Sequence, residues 1–233
     1  MGQSVLRALG ESASFTLAAA VASPHSGHLG RDAALEGRPA GVAVTADAAA
    51  ALAGAAVAID FSLPDAVAGH ARACAQAGVP LLVGTTGLDA ATRASLEAAA
   101  ARIPVLVAAN TSLGVSLLER LVEVAARGLG PGFDVEIVEM HHRMKRDAPS
   151  GTAIRLGEVV AAVRGSGLEE LALTDRHGDS GPRPAGGIGF AALRGGDVVG
   201  EHTVVFAGDG ERIELTHRAT DRMIFARGAL RAA

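Results

Sequence analysis

The chain has 233 residues, of which 49% are hydrophobic and 20% are charged, a composition that can bury a core and that excludes a disordered chain. Its 25 acidic and 21 basic residues give a formal net charge of −4 without a block of lysines or arginines, which argues against a nucleic-acid partner. The one cysteine, Cys74, cannot form a disulfide within the chain, and this favours a reducing cytoplasm.

The N-terminal residues have one feature of a signal peptide, because Arg7 precedes an apolar stretch over 15–22. Gly10 and Glu11 interrupt the approach, and the stretch is short, so we do not expect export. No apolar run reaches the length of a membrane span, and we expect a cytoplasmic protein with no membrane partner.

The first half of the sequence alternates short apolar runs with alanine-rich stretches. Pro64 is suited to the first turn of a helix, and Gly78 is a stop signal after it. Strands alternating with helices at this spacing predict a parallel, doubly wound sheet of the α/β class. The predicted elements are strands over 15–22, 56–61, 79–83 and 104–108, a loop over 23–41, and helices over 64–77 and 89–102.

The second half changes pattern, because strand-like runs follow one another without helices between them. Such a succession predicts an α+β unit with a mixed or antiparallel sheet. We therefore expect two domains, one over 1–112 to which 221–233 return, and one over 113–220. The predicted elements are helices over 114–128, 150–164 and 221–232, and strands over 133–140, 186–193, 198–206 and 212–218.

The stretch 139–153 is the richest in chemistry. His141 and His142 end a strand and point to opposite faces, so at most one of them is expected to share a site directly with Lys145. Arg143 adds positive charge beside them. Adjacent histidines lack the spacing of metal ligands, and no metal site is expected.

Ser150, Gly151 and Thr152 open the next predicted helix. Free backbone N–H groups and the helix dipole make such a helix start a site for anions. Together with the preceding cations, this predicts a small anionic substrate whose carboxylate lies on these three residues. A solvated basic loop with an ordinary helix cap is the alternative.

Polar loops follow two neighbouring parallel strands. One contains Gly84, Thr85 and Thr86, and the other contains Asn110 and Thr111. In open α/β sheets the ligand crevice lies beyond the carboxyl ends of the strands, so both loops would line one crevice. Asp60, at the end of an earlier strand, is equally well explained as a turn residue.

The sequence His-His-Arg-Met-Lys-Arg-Asp-Ala-Pro-Ser-Gly-Thr-Ala at 141–153 resembles the signature of the 4-hydroxy-tetrahydrodipicolinate reductase family, also called dihydrodipicolinate reductase. The resemblance extends over nearly the whole chain. Further matching segments are Asp-Phe-Ser-Leu-Pro at 60–64, Val-Gly-Thr-Thr-Gly at 83–87, Ala-Asn-Thr-Ser-Leu-Gly-Val at 109–115, Gly-Glu-His-Thr-Val at 200–204 and Gly-Glu-Arg-Ile-Glu-Leu-Thr-His at 210–217.

The resemblance implies a Rossmann-type domain joined to a tetramerising α+β domain, and a homotetramer. The implied reaction is the reduction of a cyclic dicarboxylate by NADH or NADPH in the diaminopimelate route to lysine. His141 and Lys145 would be the proton donors, His142 would contact the substrate, and Gly151 and Thr152 would bind one of its carboxylates. The residues implied to bind the cofactor are Gly2, Gly84, Thr85, Thr86, Ala108, Ala109, Asn110, Thr111, Arg222 and Phe225.

The sequence departs from the family at its ends. The family begins with a strand and a Gly-x-x-Gly-Arg-Met-Gly loop, whereas this chain begins at Met1-Gly2, so we expect a Rossmann-type sheet without its first strand and weak binding of NADH and NADPH. The family's tail after Ala233 is also missing. A non-catalytic fragment that assembles through the α+β domain is the alternative function.

Two single positions also differ from the family. Ala22 and Ser23 stand where the family usually has an acidic residue for the adenosine ribose, which leaves the choice between NADH and NADPH open. Thr111 occupies a position that is often aromatic.

Overall fold

The computed structural model describes residues 1–34 and 37–233; residues 35 and 36, in the predicted loop over 23–41, lie outside the described residues. The chain divides into two units, Met1–Ser112 with Met223–Ala233 (unit 1) and Leu113–Arg222 (unit 2). The α-helices of the described residues are α1 (Gly2–Gly10), α2 (Ala48–Ala51), α3 (Pro64–Ala77), α4 (Ala90–Ala100), α5 (Leu113–Leu129), α6 (Gly151–Val163), α7 (Leu168–Leu171) and α8 (Met223–Ala232), and a short 3₁₀ helix covers Gly130–Gly132. The strands are β1 (Ala20–Val21), β2 (Val44–Thr45), β3 (Ala58–Asp60), β4 (Leu81–Val83), β5 (Val105–Val107), β6 (Asp134–His141), β7 (Ala172–Leu173), β8 (Ile188–Arg194), β9 (Gly200–Gly208) and β10 (Glu211–Ala219).

Unit 1 is built on parallel strands. In its described residues β1 pairs with β2, and β3, β4 and β5 form a second sheet in that order. Pro64 begins α3, and Gly78 ends it in a left-handed conformation with φ of 69°, as the sequence predicts. Val67 of α3, Leu96 of α4 and Val83 of β4 meet in one apolar core.

Unit 2 contains one mixed sheet in the order β10-β9-β6-β8-β7. The pairs β10–β9 and β9–β6 are antiparallel, whereas β6–β8 and β8–β7 are parallel. The parallel pairing follows from α6, which connects β6 to the later strands. Leu118 of α5, Leu156 of α6 and Phe206 of β9 share its core. Of the two predicted sheet types, the mixed one is confirmed.

The predicted strand over 15–22 is longer than the observed β1. Phe15 does not continue the strand, because it packs against the apolar cluster of α1 and α8 that includes Val5 and Ala226. The sequence analysis missed α1, whose N-cap residue Met1 supplies no side-chain cap. It also missed β2, α2, α7 and β7, which are two to four residues long and carry too short a pattern to predict.

Candidate functional site

The start of α6 combines a buried cap with an exposed first turn. Ser150 is the N-cap residue and is 2% exposed, and its hydroxyl accepts the backbone N–H of Ala153 at 3.2 Å. The side chain of Ser150 therefore caps this helix. Gly151 is exposed at the first helical position and Thr152 is half-buried beside it. These two residues are the part of the motif that an anion can approach.

A buried carboxylate, Glu139 of β6, lies beneath this helix start. It is 1% exposed and accepts the N–H of Ser150 at 3.1 Å and His141 Nδ1–H at 2.6 Å. Arg194 of β8 donates to both oxygens of Glu139, each at 2.8 Å. One carboxylate thus connects the predicted proton donor His141 with the predicted anion site.

The electrostatics of this cluster keep His141 neutral near pH 7. Burial lowers the pKa of His141, and the neighbouring cations Lys145 and Arg194 act in the same direction, which together outweighs the opposing effect of Glu139. Burial acts to raise the pKa of Glu139, but hydrogen bonds from Arg194 and His141 hold that pKa below its usual value. The contact between His141 and Glu139 is therefore a hydrogen bond from a neutral ring to a carboxylate.

A second histidine, His202 of β9, completes the buried part of the site. Its Nε2 lies 2.9 Å from the hydroxyl of Ser150, and its ring meets that of His141 edge-on with centroids 5.1 Å apart. Burial lowers the pKa of His202 to about 4, so the ring is neutral at physiological pH. Among the described residues, its Nδ1 has no hydrogen-bond partner.

The loop after β6 presents Lys145. Its ammonium group bonds both oxygens of Asp147, at 2.9 and 2.8 Å, and these bonds lower the pKa of Asp147. The same loop lines a cleft of about 600 Å³. Arg222, a predicted cofactor residue, lies in this cleft with the predicted substrate residue His142. The residues around the cleft are His142, Arg143, Met144, Gly196, Asp197 and Arg222.

The sequence analysis did not single out Glu139, Arg194 or His202. One signal for Glu139 was available, because strand alternation places it on the same inward face as Val135 and Ile137. A carboxylate in that register calls for buried partners. The sequence alone does not say that Arg194 supplies them.

In unit 1 the two predicted loops lie side by side. Val83 pairs with Val107, and the N–H of Ala108 donates to the carbonyl of Val83 at 2.9 Å. Gly84 donates its N–H to the carbonyl of Asp60 at 2.8 Å. A Cβ at Gly84 would lie 2.0 Å from the Phe61 ring, so any other residue at this position would have to displace that ring.

Two of the three predicted threonine ligands turn their hydroxyls inward. Thr85 is buried and donates to the carbonyl of Ser62 at 3.0 Å, and Thr111 donates to the carbonyl of Phe225 at 2.6 Å. The sequence analysis missed Gly228 of α8, where a Cβ would lie 1.7 Å from the carbonyl oxygen of Thr111. Glycine at 228 therefore allows the helix to press against this loop.

The outer surface of these loops is partly open to solvent. Thr86 and Ala109 are exposed, and Ala108 and Asn110 are half-buried beside them. Their small side chains leave the backbone accessible to the amide and hydroxyl groups of a nucleotide. Gly2 is exposed as the first residue of α1, where helix N–H groups suit a phosphate.

Asp60 does more than form a turn. It is 7% exposed, accepts the N–H of Ser62 at 2.7 Å and bonds His70 Nδ1 of α3 at 2.8 Å. Burial acts to raise the pKa of Asp60, but hydrogen bonds from His70 and Ser62 hold that pKa below its usual value. Its bond to His70 raises the pKa of that ring despite partial burial. This pair holds the loop after β3, which in turn contacts Thr85.

Within 1–34 and 37–233, no group of three or more His, Cys, Asp or Glu side chains is arranged to hold a metal ion. None of the helices in these ranges is long and apolar enough to cross a membrane. Cys74 is a buried free thiol.

Comparison with known proteins gives the same family for both units. The model "Dihydrodipicolinate reductase, N-terminus" matches residues 1–111, and "Dihydrodipicolinate reductase, C-terminus" matches residues 114–233. The 4-hydroxy-tetrahydrodipicolinate reductases of Thiobacillus denitrificans and an Anaeromyxobacter species are 53% and 54% identical, over 100% of this chain and 88% and 87% of theirs. A solved structure of dipicolinate-bound dihydrodipicolinate reductase from a Paenisporosarcina species aligns with a TM-score of 0.76 and 25% identity, over 98% of this chain and 87% of that one.

Proposed function

Because the chain belongs to the dihydrodipicolinate reductase family, we propose that it reduces 4-hydroxy-tetrahydrodipicolinate to tetrahydrodipicolinate, with NADH or NADPH, in the diaminopimelate route to lysine. The observation that carries this proposal is the buried carboxylate of Glu139, which joins His141 to the helix start that follows Lys145. The family match over both units supports an enzyme with a nicotinamide cofactor and a small dicarboxylate substrate.

The cofactor would lie along the loops after β4 and β5. A nicotinamide bound there would supply the hydride. Gly84 and Ala108 would bring their backbone close to it, while Thr85 and Thr111 hold the loops from behind through their inward hydrogen bonds. The exposed residues Thr86 and Ala109, with Asn110 and Phe225, would complete the surface, and Gly2 would take a phosphate at the start of α1.

The substrate would bind to unit 2 through its charges. One carboxylate would accept N–H groups from the first turn of α6 at Gly151 and Thr152. Arg143 and Arg222, which line the cleft beside His142, would supply the positive charge that a second carboxylate needs.

The proton would come from Lys145, which carries three N–H donors. His141, whose lowered pKa leaves it neutral near pH 7, would pass a proton between Lys145 and water. Asp147 would hold the ammonium group until the substrate carboxylates arrive.

The test is reduction of 4-hydroxy-tetrahydrodipicolinate by the purified chain, monitored through the oxidation of the nucleotide. We expect Lys145→Ala to lower kcat by about 10²–10⁴-fold, the range of general acid–base catalysis, without weakening nucleotide binding. Arg146→Ala removes an exposed positive charge from the same loop and serves as the matched control. Equal kcat values for the two variants would remove Lys145 from the chemistry.

Nucleotide titration separates the enzyme from the alternative of a non-catalytic assembly protein. The chain has no Trp and no Tyr, so the fluorescence of the reduced nicotinamide is measured without overlapping protein emission. Saturable binding of NADH or NADPH supports the reductase, and the tighter of the two identifies the preferred cofactor. A chain that assembles but binds neither nucleotide supports the alternative.

We also propose that the chain forms a homotetramer through unit 2. The outer face of α5 exposes four aliphatic side chains at helical spacing, while Leu118 and Val122 bury the opposite face. An exposed apolar patch of this kind marks a contact surface. Its members are Leu113, Leu117, Leu121 and Val124. Leu121→Asp should lower the mass measured by analytical ultracentrifugation, and an unchanged mass would place the contact elsewhere.

A further inference from the structure

A charged group occupies a core position of β6. The inward face of this strand carries Val135 and Ile137, both fully buried, and then Glu139, which is 1% exposed. An apolar residue there would pack without any polar partner. A buried carboxylate is expensive unless every acceptor position is used, so its presence calls for an explanation.

The acceptor positions of Glu139 are fully used. Oε1 accepts the N–H of Ser150 at 3.1 Å and Arg194 Nη2 at 2.8 Å. Oε2 accepts His141 Nδ1–H at 2.6 Å and Arg194 Nη1 at 2.8 Å. Since a carboxylate offers about four acceptor sites, each partner has a defined place.

The bond to Glu139 decides which nitrogen of His141 carries the proton. A carboxylate accepts hydrogen bonds and donates none, so Nδ1 is protonated and the lone pair lies on Nε2. The edge of the ring at Nε2 faces Gly200 of β9, where a Cβ would come within 3.0 Å of Nε2. Glycine at 200 therefore keeps space open beside the reactive nitrogen.

We propose that Glu139, held by Arg194, is a positioning residue that sets the tautomer of His141 and ties it to the first turn of α6 through Ser150. The proposal rests on the function proposed above. Four groups face His141, namely Glu139 from its own strand, Arg194 from β8, His202 from β9 and Lys145 from the following loop. Glu139 is the negative one among them, and its charge keeps the ring able to accept a proton.

Glu139→Gln tests this role because it keeps the size of the side chain and places an N–H₂ group against three donors. We expect kcat to fall by about 10²-fold or more, as when a carboxylate that orients a catalytic histidine becomes an amide, while the KM for the nucleotide stays the same. The acid limb of the pH–rate profile should move to lower pH, and the ¹⁵N shifts of His141 should change from Nδ1–H to a mixture of tautomers. Glu136→Gln, an outward carboxylate of the same strand that pairs with Arg183, is the matched control.

Two results of these measurements would overturn the proposal. One is a folded Glu139→Gln variant with lower Tm but the wild-type kcat, pH profile and His141 shifts, which would leave Glu139 a structural role. The other is a wild-type ¹⁵N spectrum with the proton of His141 on Nε2. That spectrum needs no turnover, so it separates this proposal from the proposed function, which fails if the wild-type chain does not reduce the substrate.

Gly200→Ala provides a second route where Glu139→Gln does not fold. It leaves the bonds of Glu139 in place and fills the space beside Nε2 of His141. We expect a lower kcat with an unchanged tautomer of His141. A wild-type kcat in this variant would show that the Nε2 edge is not used, and would overturn the proposal.

Discussion

Each unit of the molecule contains a buried carboxylate bonded to Nδ1 of a histidine, and the two histidines respond in opposite ways. In unit 1, Asp60 lies 2.8 Å from His70, and the pKa of His70 is raised. In unit 2, Glu139 lies 2.6 Å from His141, and the pKa of His141 is lowered. The shorter contact therefore belongs to the ring that is harder to protonate.

The difference comes from what surrounds each pair. The side chain of His70 is 28% exposed, whereas that of His141 is 12% exposed and close to the cations Lys145 and Arg194. Arg194 also balances the charge of Glu139 through two hydrogen bonds. The carboxylate acts to raise the pKa of the histidine in both units, but in unit 2 burial and the neighbouring cations outweigh it.

The largest effect is expected from Arg194→Met, which keeps the apolar stem and removes the charge. Glu139 then keeps a buried negative charge without its main partner, and the free energy of unfolding should fall by about 3 kcal/mol. The pKa of His141 should rise at the same time, so that the pair in unit 2 behaves like the pair in unit 1. Urea denaturation and ring NMR measure the two effects.

Arg218→Met is the control for that variant, because its partner Glu201 is 38% exposed and the ion pair lies on the surface. The free energy of unfolding of Arg218→Met should fall by no more than about 0.5 kcal/mol. If both variants lose the same stability, burial of Glu139 does not govern the strength of the interaction.

A smaller effect, dependent on pH, is expected from Asp60→Asn. The folded pKa of His70 is raised above the unfolded value of 6.5, so the pair stabilises the fold fully below pH 6.5 and loses this contribution as pH rises through the folded pKa. We expect the free energy of unfolding of the variant to be lower by about 1–2 kcal/mol near pH 6 and by less near pH 9, where His70 is neutral. The loss stays modest because the amide still accepts the N–H of Ser62.

Urea denaturation at the two pH values checks this prediction. In a His70→Gln background, the effect of Asp60→Asn on the free energy of unfolding should no longer depend on pH, because the group that titrates is gone. For the pair in unit 2, the dependence of stability on pH has the opposite sign. His141, with its lowered pKa, should make the fold less stable as pH falls through 6.5, because the unfolded chain then binds the proton more readily. A loss in Asp60→Asn that is equal at both pH values would contradict the assignment.

The same comparison shows what the sequence could and could not predict. Pro64 and Gly78 predict α3 correctly because helix ends are decided by local backbone chemistry. The bond between Arg194 and Glu139 joins residues 55 positions apart, and it depends on the parallel register that sets His141 opposite Arg194. That register results from packing of the whole unit, and no local pattern encodes it.

The close contacts at Gly84 and Gly228 are likewise not predictable from the local sequence. Gly84 belongs to a loop that the sequence indicates, yet the close contact that its missing side chain permits is with the Phe61 ring on a neighbouring strand end. Gly228 was not singled out at all, because the carbonyl of Thr111 that it accommodates is brought to it by the return of α8 to unit 1. Close approaches of this kind are visible only once both segments are in place.

The smallest expected effect is on the pKa of Cys74, which the charge of Asp60 also influences. Burial is the main reason that the pKa of the Cys74 thiol is raised to about 11, and the charge of Asp60 adds to it. Asp60→Asn should therefore lower this pKa by only a fraction of a unit, and alkylation of the native thiol near pH 8 should become faster by about threefold or less. His70→Gln is the control, because it loosens the same pair while the charge of Asp60 remains. An equal acceleration in both variants would show that local opening, and not the charge, limits the reaction. A rate that rises only in Asp60→Asn would show that the charge of Asp60 reaches beyond its histidine, in contrast to Glu139, whose charge is balanced by Arg194.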